Sequence, residues 1–208
     1  MIVYLDGLER NGNVYLSYVL SRSLNINLVS LRTHSLGTLE MYANKEYPFI
    51  IPVRDALPAL VSAKIFRDYV HDKDIFNTHK YDQISFTADI IVDNFKQYYL
   101  FLENNPQFFI APFYDFTTNH YRVLEKLHKF YNNDKLKLYR SVSSEEILSD
   151  IKKNNESEWA IHPELGNFPR KESELKKNTE EMFLNKYKND INFIQNKINI
   201  LYDRYERI

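Results

Sequence analysis

Four short apolar runs set the terms for this chain: residues 2–6 (IVYLD), 26–31 (INLVSL), 47–53 (YPFIIPV) and 108–113 (FFIAPF). Each is rich in β-branched or aromatic residues, too short for a helix, and separated from the next by enough chain to hold one. A strand that is apolar on both faces must be covered on both, and strands joined through helices run parallel. The expected class is therefore α/β, a mostly parallel sheet with helices on either face. Helices are predicted over 14–24, 55–69, 82–104 and 117–131. A shorter fifth strand is expected over 136–142, followed by a helix capped at Ser143 or Ser144 and ending near Asn154, with Glu145 and Glu146 in its first turn. The two prolines of the third run, Pro48 and Pro52, suit strand ends better than a strand middle.

The last segment has a different rhythm. Apolar positions fall at Leu184, Tyr187, Ile191, Ile194, Ile198, Leu201, Tyr205 and Ile208, in steps of 3, 4, 3, 4, 3, 4 and 3. This heptad spacing makes a narrow seam on a long helix. The seam can pack along the chain's own domain or pair with a second copy in a coiled coil. The expected organisation is a domain over 1–170 and a long helix over 171–208 that packs or oligomerises.

Composition narrows the function classes. Apolar residues make up 44 % and aromatics 15 %, so the chain can build a core and is not a disordered polymer. The net charge of −1 gives no basic footprint for a nucleic-acid partner. With no cysteine, disulfides, thiolate metal sites and cysteine nucleophiles are excluded. No apolar run reaches the roughly 18 residues of a membrane span, and the charged N-terminus does not read as a secretory signal, so a cytoplasmic location without a membrane partner is expected.

The loop over residues 7–13 (GLERNGN) carries the main chemical signal. In an open parallel sheet, ligands bind beyond the carboxyl ends of the strands, where a helix N-terminus offers N–H groups to an anion. Gly12 permits close backbone approach and Arg10 adds a fixed positive fork. No Gly-Lys-Ser/Thr follows, so the loop is not a Walker A loop. Three other strand ends add polar groups: Arg32-Thr33-His34, Arg54-Asp55 and Phe113-Tyr114-Asp115-Phe116. The set His71, Asp72, Asp74 and His79 has no metal-ligand spacing and reads as a polar loop, so no metal is expected. Trp159 and His162 read as packing residues in a loop.

Together these segments resemble the PAPS-dependent sulfotransferases, a P-loop family that moves a sulfuryl group from 3′-phosphoadenosine 5′-phosphosulfate to a hydroxyl or amine. Residues 9–14 fall on the family's 5′-phosphosulfate loop. Arg54 and Ser62, eight residues apart, fit its 3′-phosphate motif. Arg32-Thr33-His34 resembles its Lys-Thr-His, and Tyr114 lies in a counterpart of its Tyr-Glu-Asp-Leu strand end. Arg170-Lys171-Glu172 partially echoes its C-terminal Arg-Lys-Gly loop, and Asn13 and Val14 stand where the family has two threonines. The resemblance covers about residues 1–131. It implies a P-loop-type three-layer fold, PAPS as donor and PAP as product, and a small-molecule or glycan acceptor. It places Arg10, Asn11, Gly12, Asn13 and Val14 at the phosphosulfate, Arg54, Ser62, Arg170 and Lys171 near the 3′-phosphate, Tyr114 among the donor contacts, and His34 as general base with Arg10 assisting. The alternatives are a catalytically silent P-loop protein acting as an interaction module through its last helix, and a nucleotide kinase. A homodimer through that helix is the expected assembly.

Overall fold

The structure, a computed structural model, describes residues 1–8, 11–31, 33–72, 87–154 and 173–208. Strands β1 (Ile2–Leu5), β2 (Asn27–Ser30), β3 (Phe49–Val53) and β4 (Phe109–Pro112) form one parallel sheet in the order β2-β1-β3-β4. The helices are α1 (Asn13–Ser23), α2 (Leu36–Tyr42), α3 (Ala56–Asp72), α4 (Ala88–Asn104), α5 (Phe113–Thr118), α6 (His120–Tyr131), α7 (Ser144–Asn154) and α8 (Glu174–Glu206). The α/β class expected from the four apolar runs is the one observed.

Alternation along the strands divides the core in two. Phe49, Ile51, Val53 and Ile110 face a cluster built with α3, α4 and α8. Val3, Leu5, Ile50, Phe109 and Ala111 face the opposite cluster with α1, α6 and α7. The order 2-1-3-4 places a topological switch point between β1 and β3: the chain leaves β1 to one side to form β2, then crosses back to form β3. In doubly wound sheets that crevice, beyond the carboxyl ends of the strands, is where ligands bind.

Pro48 lies just before β3 and Pro52 is its penultimate residue, near the strand ends as expected, though Pro52 is buried and still pairs with β4. The even-numbered residues of β3 face β1, since the Pro48 and Ile50 carbonyls accept from Tyr4 and Asp6. Pairing with β1 stops at Leu5–Ile50, and Pro52 lacks the N–H that the next rung of that ladder would use. Several local expectations are corrected. The strand expected over 136–142 does not form. Asp134–Leu136 is a 3-10 turn, and the N–H groups of Tyr139 and Arg140 both donate to the Ser23 carbonyl, at 2.8 and 3.2 Å. Only Leu136 and Val142 of that run are buried, so it is pinned at two points instead of paired along its length. The helix expected over 117–131 is two helices, because Asn119 leaves helical geometry (φ −145°, ψ 68°) and caps α6 through Arg122 N–H. Ser143 does cap α7: its hydroxyl accepts from Glu146 N–H while the Glu146 carboxylate accepts from Ser143 N–H. The short helix α2, capped by Ser35, has no counterpart in the sequence reading.

The seam of α8 is buried inside the same chain. Tyr187, Ile191, Ile194, Ile198, Leu201 and Tyr205 are buried, and α8 packs against α3 and α4. Of the other two heptad positions, Leu184 is exposed and Ile208 partly buried, while Phe183 is buried. The helix is interrupted at Tyr187 (φ −123°, ψ 23°), whose hydroxyl donates to Asp89 Oδ1 of α4 at 2.7 Å. No helix among the described residues is long and apolar enough to cross a membrane.

Candidate functional site at the carboxyl edge of the sheet

The loop leaving β1 closes on itself before it opens α1. Gly7 lies against Pro52, where a Cβ would come within 2.9 Å of the proline ring. Gly12 is the N-cap of α1 at φ +91°, a conformation natural to glycine. A Cβ there would sit 2.7 Å from Phe116 Cζ and 3.0 Å from Phe113 Cδ2. Gly7 and Gly12 have the spacing of the two glycines in a Walker A loop, with Asn13 and Val14 where its Lys and Ser/Thr would stand. That spacing is a signal the motif reading did not use.

The asparagines of this loop are structural groups. Asn11 is fully buried, and its Nδ2 donates to the Pro52 carbonyl (3.3 Å) and the Tyr99 hydroxyl (3.0 Å). Asn13 is buried too, and its Nδ2 donates to the Gly7 and Leu8 carbonyls, both at 3.1 Å. Val14 leans into the core beside α1. These side chains shape the loop and do not project donors outward. What α1 presents is its first-turn N–H groups, which no side chain caps among the described residues.

Two further groups border this helix end. Arg54, at the end of β3, lays its guanidinium over the Phe113 ring, 4.7 Å from the centroid. The same ring touches Gly12, so the cation and the helix N-terminus share one neighbour. Burial lowers the Arg54 pKa, opposed by Asp55, and an arginine keeps its charge under such shifts. The other group is His34, which follows β2. Its Nδ1 is 2.6 Å from the Gly7 carbonyl and 3.6 Å from Asp6 Oδ1. A carbonyl only accepts, so Nδ1 carries the proton and the neutral ring has its lone pair on Nε2. The ring is about one-third exposed, with side-chain accessibility of 32 %.

Beneath them lies Asp6, which the motif reading passed over. Its carboxylate is 1 % exposed and accepts from Gly7 N–H (3.0 Å), His34 N–H (3.4 Å) and the Thr33 hydroxyl. The fully buried Tyr98 hydroxyl has no hydrogen-bond partner among the described residues, and its pKa is raised by burial first and by the charge of Asp6 second. The neighbouring Tyr99 is likewise raised by burial.

The last helix also reaches this edge. Gln195 Oε1 accepts from Ala56 N–H at the start of α3 (2.9 Å), and its Nε2 lies 3.3 Å from Asp55 Oδ1. The Tyr202 hydroxyl is 3.4 Å from the Val53 carbonyl. Side chains of α8 therefore buttress the turn that carries Arg54.

Of the other sequence candidates, Ser62 is partly buried on α3. Tyr114 lies on α5 and is 74 % exposed, whereas Phe113 and Phe116 meet the loop. Arg10, Arg32, Arg170, Lys171, Trp159 and His162 lie outside the described residues, as do Asp74, His79 and the side chains of His71 and Asp72. Among the described residues no group of three or more His, Cys, Asp or Glu is placed to hold a metal ion. No protein-family model matches the chain, and neither a curated protein nor a solved structure matches it.

Proposed function

We propose that this chain binds the phosphate-bearing end of a nucleotide at the β1–β3 switch point and transfers a sulfuryl group from PAPS to a hydroxyl acceptor. The observation that carries the reading is the convergence of three groups on one loop: the N-terminus of α1, without a side-chain cap among the described residues, the Arg54 guanidinium one ring away, and His34 against Gly7. Helix N–H groups and a guanidinium suit an anion, and an imidazole whose Nε2 has no partner among the described residues suits a base. In the proposed step the acceptor oxygen bonds to sulfur as its proton passes to His34 Nε2. The bond between sulfur and the 5′-phosphate oxygen breaks, and its electron pair leaves with PAP. Such transfers leave the protein mainly with positioning and charge stabilisation. Arg54 and Ser62 would hold the 3′-phosphate, with Arg10 at the phosphosulfate.

The P-loop character belongs to this proposal as well, supported by the glycine spacing. With the Asn13 amide turned onto the loop's own carbonyls and no hydroxyl on Val14, 5′-phosphate recognition would rest on backbone N–H groups. The same two residues favour a second reading, a nucleotide-binding protein that does not turn over, and weigh against a kinase, which needs the Lys and Ser/Thr of its loop. Isothermal titration of the full chain with PAP tests the proposal. Arg54→Ala is expected to weaken PAP by about 2 kcal/mol, roughly 30-fold, through loss of a charge-assisted contact. Equal affinity for PAP and adenosine 5′-phosphate would remove the 3′-phosphate assignment.

A further inference from the structure

We infer that Asp6 is the positioning residue that presents His34 as a base, holding its backbone and ring so that Nε2 alone is open to an acceptor hydroxyl. This deepens the proposed function and rests on its reading of His34. The geometry begins with the backbone. His34 has φ +54°, a left-handed conformation uncommon for a residue with a side chain, and such a residue persists only where its surroundings hold it. Asp6 supplies a hold on both sides of the turn: Oδ1 accepts from His34 N–H and Oδ2 from the Thr33 hydroxyl. Thr33 is braced in turn by Thr38, with the two hydroxyl oxygens 2.7 Å apart, and Thr38 is fixed by Ser35 at the start of α2.

The third acceptor contact of Asp6 ties the turn to the loop. Gly7 N–H donates to Oδ1 while the Gly7 carbonyl receives the ring proton of His34. One peptide neighbour of Asp6 thus fixes the tautomer that the carboxylate anchors. When Nε2 takes a proton the ring becomes a cation, and the buried carboxylate 3.6 Å from Nδ1 complements that charge. An aspartate, a histidine with its far nitrogen open, and a ring fixed through Nδ1 are the parts by which a base is oriented in acyl-transfer enzymes on unrelated folds. A purely local role for Asp6, closing the turn after β1, would need only the contact to Gly7 N–H.

The ring itself reports the difference. In the full-length protein, nitrogen NMR of the His34 ring, assigned by its disappearance in His34→Gln, is expected to show one tautomer protonated at Nδ1. Asp6→Ala removes all three acceptor contacts and is expected to mix the two tautomers. Asp6→Asn serves if the alanine variant does not fold: an amide offers one acceptor oxygen where the carboxylate offers two, so the same mixing is expected in smaller degree. A wild-type ring protonated at Nε2, or a folded Asp6 variant that keeps the single Nδ1–H tautomer, would overturn the inference. The PAP titration stands apart from this test, since a protein that ignores PAP breaks the donor assignment and leaves the ring measurement readable.

Discussion

Along α8 the chain buries Phe183, Tyr187, Ile191, Ile194, Ile198, Leu201 and Tyr205 against α3, α4 and the sheet, and most of these contacts are apolar. In the loop that opens α1 it buries Asp6, Asn11 and Asn13, whose contacts are directional hydrogen bonds to named partners. The first region gains from area: about 1.5–3 kcal/mol for each fully buried large apolar side chain. The second gains little for each bond, about 0.5–1.5 kcal/mol net, and leaves acceptors such as Asn11 Oδ1 and Asn13 Oδ1 without partners among the described residues. Apolar area tolerates some shift in position, whereas a hydrogen-bonded loop fixes shape at low energetic return. The proposed site draws on the second kind of region and is braced by the first, as Gln195 and Tyr202 brace the Arg54 turn.

The sharpest way to break this contrast is to cut the seam. Ile198→Ala is expected to destabilise the fold by about 2–5 kcal/mol, the cost of a cavity at a fully buried position. Urea unfolding at two protein concentrations measures it. Because the seam is intramolecular, the midpoint should not move with concentration. A midpoint that rises with protein concentration would mean that the seam joins copies of the chain.

A smaller effect is expected in the loop, where backbone geometry and not area is at stake. Gly12→Ala introduces a side chain at φ +91° and a Cβ pressed onto Phe116, and should cost about 1–3 kcal/mol. Gly37→Ala on α2, where a Cβ meets nothing within 4 Å, is the control and should stabilise slightly. Equal thermal shifts for the two would show that the Gly12 conformation is not required.

The smallest change should come from Tyr98, whose buried hydroxyl, like those of Tyr15 and Tyr205, has no hydrogen-bond partner among the described residues. Tyr98→Phe removes a desolvated polar atom without opening a cavity, so stability is expected to stay level or rise by up to about 1 kcal/mol. A loss greater than that in chemical denaturation would show that the hydroxyl is bonded.

Much of the frame was legible from residue pattern, and the failures have physical causes. Four apolar runs became four parallel strands, although only β3 and β4 are buried on both faces, while the edge strand β2 leaves Asn27 and Val29 exposed. The run over 136–142 has strand-like residues but only two that reach the core, so it stays outside the sheet. His34 was a candidate because of a short motif beside a strand. Its partner Asp6 was missed because the two are 28 positions apart and meet only when β1 and β2 lie side by side.

What the residue order determined by itself was periodicity: where the four strands and the longer helices lie, and which stripe of the last helix is apolar. That was enough for the α/β class and for the seven-residue rhythm of the last helix. Which surface covers that seam, which carbonyls receive the Asn11 and Asn13 amides, and which nitrogen of His34 keeps its proton were decided by the tertiary structure. The reason is that an apolar stripe encodes a need for burial without naming the partner. A hydrogen bond, by contrast, exists only at a distance and angle that the packed sheet creates. Asn11 and Tyr99 are 88 positions apart, and nothing in either neighbourhood announces the other.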